Sequence, residues 1–198
     1  MTQYFIVPRR TITLLIVHCT ATPAGREVSS AEVDQWHRQR GWKGIGYHYL
    51  IRLDGTVEPG RPEAEIGAHC QNHNAHSLGI CYVGGLDSQN RPADTRTPAQ
   101  RLALRALLET LHARYPHALI VGHHLFNSSK ACPCFDVAAE YADAGAAFGF
   151  KGDAAQYLLL DVFFCNVLDL DFHLLFLLEW FSCIPGALPL TLGNMLMN

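Results

Sequence analysis

Residues 152–198 of this 198-residue chain contain no lysine or arginine, whereas residues 1–151 hold all 15 of them. The same C-terminal segment contains a strongly apolar stretch, Tyr157–Phe181, that includes four carboxylates. An interfacial helix needs basic residues on its polar face, and carboxylates near a bilayer centre cost ~2.5–3.5 kcal/mol each, so we expect no membrane span. The composition predicts a folded domain at residues 1–150 and an apolar, acidic tail at residues 151–198. This tail is either a dispensable addition or an extra helix that covers an apolar face.

Other absences exclude further classes of protein. The segment MTQYFIVPRRT at the N-terminus lacks a charged region followed by a long apolar run, so we expect no secretory signal and a cytoplasmic location. Seven cysteines, an odd number, do not indicate a disulfide framework in a chain of this length. The arginines are scattered, and residues 1–151 carry only two more bases than acids (15 against 13). That charge density is too low for a typical nucleic-acid-binding protein, and we expect no nucleic acid partner.

Alternating strand and helix patterns predict an α/β domain with a mixed central sheet flanked by helices. Residues 11–18, 77–83 and 118–122 are apolar and rich in β-branched side chains, as in buried strands. A hairpin is predicted for residues 45–58, because the turn pair Asp54-Gly55 separates two strand patterns. Helices are predicted after capping boxes at Ser29 and Thr97, and after Asp136, the last one running to about Ala144.

Two histidines and a cysteine follow predicted strands and could form an open zinc site. His18 ends the first strand, one of the pair His123-His124 follows the last strand, and Cys132 comes shortly after. Catalytic zinc uses three protein ligands and leaves the fourth position to water. However, the spacing matches no compact zinc motif, and the chain has eleven histidines and seven cysteines. The residue types alone therefore leave the ligand set open.

Several motifs in order resemble those of the type 2 N-acetylmuramoyl-L-alanine amidases. The resemblance is strongest to the amidase-type lysozymes of bacteriophages, is more distant to peptidoglycan recognition proteins, and covers roughly residues 11–145. The motifs that carry it are Val17-His18-Cys19-Thr20-Ala21-Thr22, Gly46-Tyr47-His48-Tyr49, Asp54-Gly55-Thr56-Val57, Ser77-Leu78-Gly79-Ile80-Cys81 and Lys130-Ala131-Cys132-Pro133.

The resemblance implies a zinc ion held by His18, the histidine after Gly122, and Cys132. We favour His123 over His124, because only one of two consecutive side chains at a strand end normally points into a site. Cys134 is the competitor of Cys132, since Pro133 alone separates the two thiols.

The resemblance also implies roles for four further residues. Tyr47 and Lys130 match catalytic positions, Tyr47 to hydrogen-bond water or substrate and Lys130 to stabilise an oxyanion. His69 matches a position that lines the substrate groove, and we expect Asn74 to bind substrate with it. The alternatives are a core aromatic for Tyr47, an exposed loop lysine for Lys130, and an ordinary polar loop for His69 and Asn74.

The function implied is zinc-dependent hydrolysis of the amide bond between N-acetylmuramic acid and L-alanine in peptidoglycan. We expect a monomeric phage or prophage endolysin that stays in the host cytoplasm until the membrane is breached. One alternative is a cytosolic amidase that recycles wall fragments, and another is a module that binds peptidoglycan without cleaving it. A thiol hydrolase that uses Cys19 or Cys81 with a nearby histidine is a weaker alternative.

Overall fold

Residues 10–142, which the computed structural model describes, contain seven strands and three α-helices. In chain order they are β1 (Leu14–Cys19), β2 (Thr22–Pro23), α1 (Ser30–Gln39), β3 (Tyr49–Ile51), β4 (Val57–Pro59), β5 (Ser77–Tyr82), β6 (Gly85–Leu86), α2 (Pro98–Arg114), β7 (Leu119–Gly122) and α3 (Val137–Glu140). Five strands form a sheet in the order β4-β3-β5-β1-β7, in which β4 runs antiparallel to β3 and all other neighbours are parallel. A separate parallel pair joins β2 and β6. The predicted mixed sheet is confirmed.

Side chains of the central strands alternate between two faces of the sheet, and helices pack on both. One face contacts α2 and α3 through a core that includes Leu15, Val17, Ile80, Leu104, Leu108 and Val137. The other face contacts α1 and the loops before β5 through residues that include Ile16, Val33, Leu50, Cys70 and Cys81. Because His18 follows Val17, its side chain lies on the face away from α2.

Caps start the helices where the sequence predicts them. The Ser29 hydroxyl accepts a hydrogen bond from the Glu32 N–H at the start of α1. At the start of α2, Thr97 and Gln100 form a reciprocal capping box, with Pro98 as the first helical residue. The Asp136 carboxylate caps α3 by accepting from the Ala139 N–H. These contacts satisfy N–H groups that a helix otherwise leaves unpaired.

Some predicted elements are shorter in the structure. The hairpin strand predicted from residue 45 begins only at Tyr49, because the Gly46 N–H donates to His37 Nδ1 and the Gly46 carbonyl accepts from the Ala68 N–H. Helix α3 ends at Glu140, and its predicted end near Ala144 lies outside the described residues. The tail at residues 151–198 and its predicted roles lie outside the described residues. Within residues 10–142, no helix combines the length and apolar character needed to cross a membrane.

Candidate metal centre and active site

The register of two parallel strands brings His18 and His123 together. Val17 of β1 is paired with Gly122, the last residue of β7, so His18 and His123, which follow them in the chain, lie at the same carboxyl edge of the sheet. The ring centroids of His18 and His123 are 4.5 Å apart. Both histidines are buried, with exposed fractions of 1% and 8%. Carboxyl edges of parallel strands are common positions for binding sites.

Cys132 completes a cluster of possible metal ligands. One ligand atom from each of His18, His123 and Cys132 lies within 4.8 Å of the other two. The His18 Nδ1 atom is 3.9 Å from Cys132 Sγ, which in turn accepts a hydrogen bond from the Cys19 backbone N–H at 3.3 Å. The structure therefore brings together the three residues that the resemblance implies as ligands.

The protonation states in this cluster suit metal binding. Burial lowers the pKa of His18 well below its usual value, and burial followed by the Lys130 charge lowers the pKa of His123 to about 4. Both imidazoles are therefore neutral at pH 7. A hydrogen bond from the Cys19 thiol lowers the pKa of Cys132, and Lys130 acts in the same direction. Neutral imidazole and thiolate are the forms that coordinate a metal ion.

The two competing ligand candidates lie outside the cluster. The Cys134 thiol donates to the Gly85 carbonyl at 3.3 Å and lies 3.9 Å from Cys19 Sγ. His124 Nδ1 is 3.3 Å from the Cys132 carbonyl oxygen, which also accepts from the His124 backbone N–H at 2.7 Å. His124 also lines an open cavity next to Lys130 and Phe135. Contacts with the backbone thus occupy both competing side chains.

A buried arginine anchors the segment that follows Cys132. The Arg96 side chain is fully buried and forms ion pairs with Asp94 at 2.9 Å and Glu140 at 2.6 Å. Its guanidinium carbon also lies 3.2 Å from the ring centroid of Phe135, which is three residues after Cys132. Arg96 therefore ties the loop after Cys132 to α3 and to the segment before α2.

The two predicted catalytic residues lie beside the cluster. The Tyr47 ring is half-buried, with its centroid 5.2 Å from that of His18. Burial, followed by the neighbouring thiols, raises the pKa of Tyr47 well above its usual value, so the phenol stays protonated. Lys130 is exposed, and its charge lowers the pKa of His18, His123 and Cys132. Both Tyr47 and Lys130 therefore lie near the cluster of His18, His123 and Cys132.

The two residues predicted to bind substrate are held by internal contacts. The His69 ring uses Nδ1 to contact His18 Nε2 at 3.0 Å and Nε2 to contact Ser77 Oγ at 3.4 Å. The Asn74 Oδ1 atom accepts from the backbone N–H groups of His69 and Cys70 at 2.8 and 2.9 Å. Asn74 thus shapes the loop that carries His69, and only its amide NH₂ is left to face a substrate.

The sequence interpretation missed the groups that surround His69. Ser77 is fully buried, and Gly67 and Gly79 lie directly against the His69 ring. Glycine inside a strand weakens it and often marks a close approach of another group, so Gly79 in β5 was the available signal. The partner that approaches could not be inferred from spacing, because His69 lies in an irregular loop.

Comparison with known proteins agrees with this geometry. The sequence profile described as N-acetylmuramoyl-L-alanine amidase matches residues 8–135. The endolysin of Klebsiella phage KP32 is 42% identical over 137 residues, which are 69% of this chain and 90% of that protein. The solved structure of the endolysin amidase LysCS from Clostridium intestinale URNW is 31% identical, with a TM-score of 0.59, over 70% of this chain and 86% of that one. Drosophila PGRP-LB, at 24% identity and a TM-score of 0.58 over 72% and 86% of the two chains, shares the fold. The predicted resemblance is confirmed, and this chain belongs to the N-acetylmuramoyl-L-alanine amidase family.

Proposed function

We propose that this chain uses a zinc ion, held by His18, His123 and Cys132, to hydrolyse the amide bond between N-acetylmuramic acid and L-alanine in peptidoglycan. The observation that carries the proposal is the convergence of the three ligand atoms within 4.8 Å. Two imidazoles and one thiolate match the preference of zinc for nitrogen and sulfur ligands. Among residues 10–142 the cluster has three ligands rather than four, which leaves a position for water or substrate, as in catalytic zinc sites.

The residues around this position have complementary tasks. Bound zinc would supply a Lewis acid that polarises the scissile carbonyl and lowers the pKa of a water molecule. Tyr47 keeps its proton, so its hydroxyl can donate a hydrogen bond to the substrate oxygen or order the attacking water. The Lys130 ammonium group can stabilise negative charge on the carbonyl oxygen, an effect often worth ~3 kcal/mol. Asn74 can contact substrate only through its amide NH₂.

We further infer the biological role of an endolysin that acts on peptidoglycan. The support is the similarity to phage endolysins, of which the chain covers 90% in the case of phage KP32. In that role the enzyme is made in the host cytoplasm and reaches the wall after the membrane is breached. One chain supplies all the proposed ligands, so the proposed zinc site needs no second chain, and we propose that the enzyme acts as a monomer.

The test measures zinc content together with the clearing of purified cell walls. The proposal predicts one zinc per chain, loss of clearing with a chelator, and recovery when zinc is returned. A thiol hydrolase would stay active without metal. Activity on soluble muropeptides but not on intact walls would instead favour a recycling amidase.

Tyr47→Phe separates catalysis from binding. This variant should keep its zinc and bind walls while its kcat falls about 10²-fold, in the range expected for loss of one positioned hydrogen-bonding group. Wall binding without cleavage by the parent protein itself would favour a non-catalytic binding module.

A further inference from the structure

His69 and His18 form a direct contact between imidazole nitrogens at the edge of the His18, His123 and Cys132 cluster. His69 Nδ1 lies 3.0 Å from His18 Nε2, and the His18 Nδ1 atom on the opposite side of that ring faces Cys132 Sγ at 3.9 Å. The two rings meet edge to face, at 84°. His18 therefore has one nitrogen directed at the cluster and the other directed at His69.

The donor and acceptor of each hydrogen bond follow from Ser77, the last residue in the series His18, His69, Ser77. The Ser77 hydroxyl has a single proton, which it donates to the His73 carbonyl at 2.7 Å. Ser77 Oγ can then only accept from His69 Nε2, at 3.4 Å. With its proton on Nε2, His69 has an unprotonated Nδ1, which accepts from the N–H at His18 Nε2. That arrangement leaves the lone pair of His18 on Nδ1, the nitrogen that faces Cys132.

We propose that His69 is a positioning residue that fixes the tautomer and the ring orientation of His18 so that Nδ1 is presented to the metal. The inference deepens the proposed zinc site and rests on it. It replaces direct contact with substrate as the main role of His69, since both ring nitrogens are already engaged. Hydrogen-bond partners of this kind orient metal-ligating histidines in many proteins, and their loss typically costs about 10–100-fold in metal affinity or activity.

Neighbouring backbone packs tightly against the His69 ring. A methyl group added at Gly79 of β5 would lie 2.6 Å from two carbons of this ring, and one added at Gly67 would lie 2.6 Å from one of them. Neither glycine has a positive φ, so the space rather than the backbone conformation requires glycine there. The Asn74 Oδ1 atom accepts a hydrogen bond from the His69 backbone N–H. Placement of this ring is thus supported from the strand and from the loop.

The experiment measures zinc affinity by competition with a chromophoric chelator at pH 7. His69→Leu removes the acceptor and should weaken zinc binding about 10–100-fold. His69→Asn places an amide oxygen close to the position of Nδ1 and should restore most of the affinity. The matched control is His76→Leu, a histidine change near the same loop in a residue that contacts His73 rather than His18. It should leave zinc affinity unchanged.

Substitution of cobalt(II) for zinc gives a second measurement, which would not change if the role of His69 were purely structural. The absorption bands of bound cobalt depend on ligand orientation, so they should shift in His69→Leu and return towards those of the parent in His69→Asn. If His69→Leu does not fold without metal, His69→Gln takes its place, since its oxygen reaches the position of Nε2 rather than Nδ1. We then expect His69→Asn to bind zinc more tightly than His69→Gln.

The outcomes separate this inference from the proposed function. Failure of the parent protein to bind zinc would overturn the proposed function itself. A parent that binds zinc while His69→Leu binds it equally tightly would overturn only the role of His69. The same holds if His76→Leu weakens binding as much as His69→Leu does. A raised KM with unchanged zinc affinity would instead assign His69 to substrate binding.

Discussion

The backbone N–H of Cys19 donates a hydrogen bond to the Sγ atom of Cys132 at 3.3 Å. This contact joins the end of β1, which carries His18, to the loop after β7, which carries Cys132. An N–H donor stabilises a thiolate, and it fixes this sulfur beside His18 Nδ1. The same loop holds Cys134, whose sulfur is directed to the Gly85 carbonyl instead.

We predict that Cys132→Ser and Cys134→Ser differ sharply in zinc binding. Loss of the thiolate at Cys132 should weaken zinc affinity by about two orders of magnitude and abolish wall clearing at limiting zinc. Cys134→Ser is the matched control, because its hydroxyl can still donate to the Gly85 carbonyl. Zinc content after dialysis against a weak chelator checks both. Retention of zinc and activity by Cys132→Ser would refute the ligand assignment.

A second pair of variants distinguishes His123 from His124. His123→Ala should lose zinc, since its ring lies against His18 in the cluster. His124→Ala should keep zinc and lose only about 1 kcal/mol of stability, because its ring contacts the Cys132 carbonyl oxygen. Isothermal titration with zinc gives the affinity, and urea unfolding of the metal-free proteins gives the stability. The reverse order of affinities would make His124 the ligand.

Some of this site follows from the sequence and some does not. The strand patterns predict that His18 and the pair His123-His124 lie at strand ends, but the parallel pairing of β1 with β7, which brings His18 to His123, is seen only in the structure. Neither strand pattern predicts the position of Cys132, because its loop has no periodicity. The prediction that Cys132 is a ligand therefore depended on the family resemblance. The orientation of His69 depends on space left by Gly67 in its own loop and by Gly79 in β5. Such steric fits arise only when loops and strands pack together.

The same limit explains why β3 begins later than predicted. Apolar and β-branched residues from Ile45 onward predict a strand, but the Gly46 backbone forms its hydrogen bonds with His37 and Ala68 instead of a neighbouring strand. Tertiary partners of a backbone segment thus override its local strand propensity. The capping residues Ser29, Thr97 and Asp136 were predicted correctly, because a cap depends on residues within one turn.

Arg96→Met should destabilise the protein more than a comparable change at the surface. Loss of the buried guanidinium leaves Asp94 and Glu140 without this partner and removes the stacking on Phe135, which we expect to cost about 3 kcal/mol. Arg101→Met is the control, since Arg101 pairs with the same two carboxylates but is 44% exposed, and it should cost at most about 1 kcal/mol. Urea unfolding measures both. Equal losses would contradict an anchoring role for Arg96.

The metal-free protein should lose stability as the pH falls from about 6.5 to about 4. Burial lowers the pKa of both His37 and His48 to about 4, and the Nδ1 atom of each accepts a backbone N–H hydrogen bond. Between these pH values the unfolded chain binds protons that the folded protein does not, so stability rises with pH through this window and is complete above it. The effect should be on the order of 3 kcal/mol for each histidine.

His37→Asn tests this pH dependence, because an amide oxygen can still accept the Gly46 N–H but does not titrate. Free energies of unfolding measured at several pH values should show a smaller slope in this variant than in the parent. An identical slope in both proteins would show that His37 contributes nothing to it.

Truncation after Lys151 tests whether residues 1–150 are a self-sufficient catalytic domain. All proposed ligands and catalytic residues lie within residues 10–142, and the family match ends at residue 135. We therefore expect the truncated protein to keep one zinc per chain, the clearing rate of the full chain, and its unfolding free energy to within about 1 kcal/mol. Zinc analysis, wall turbidity and urea unfolding of both proteins provide the comparison. An unfolded or aggregated product would mean that residues 152–198 complete the core, because an exposed apolar face left by their removal would drive both outcomes.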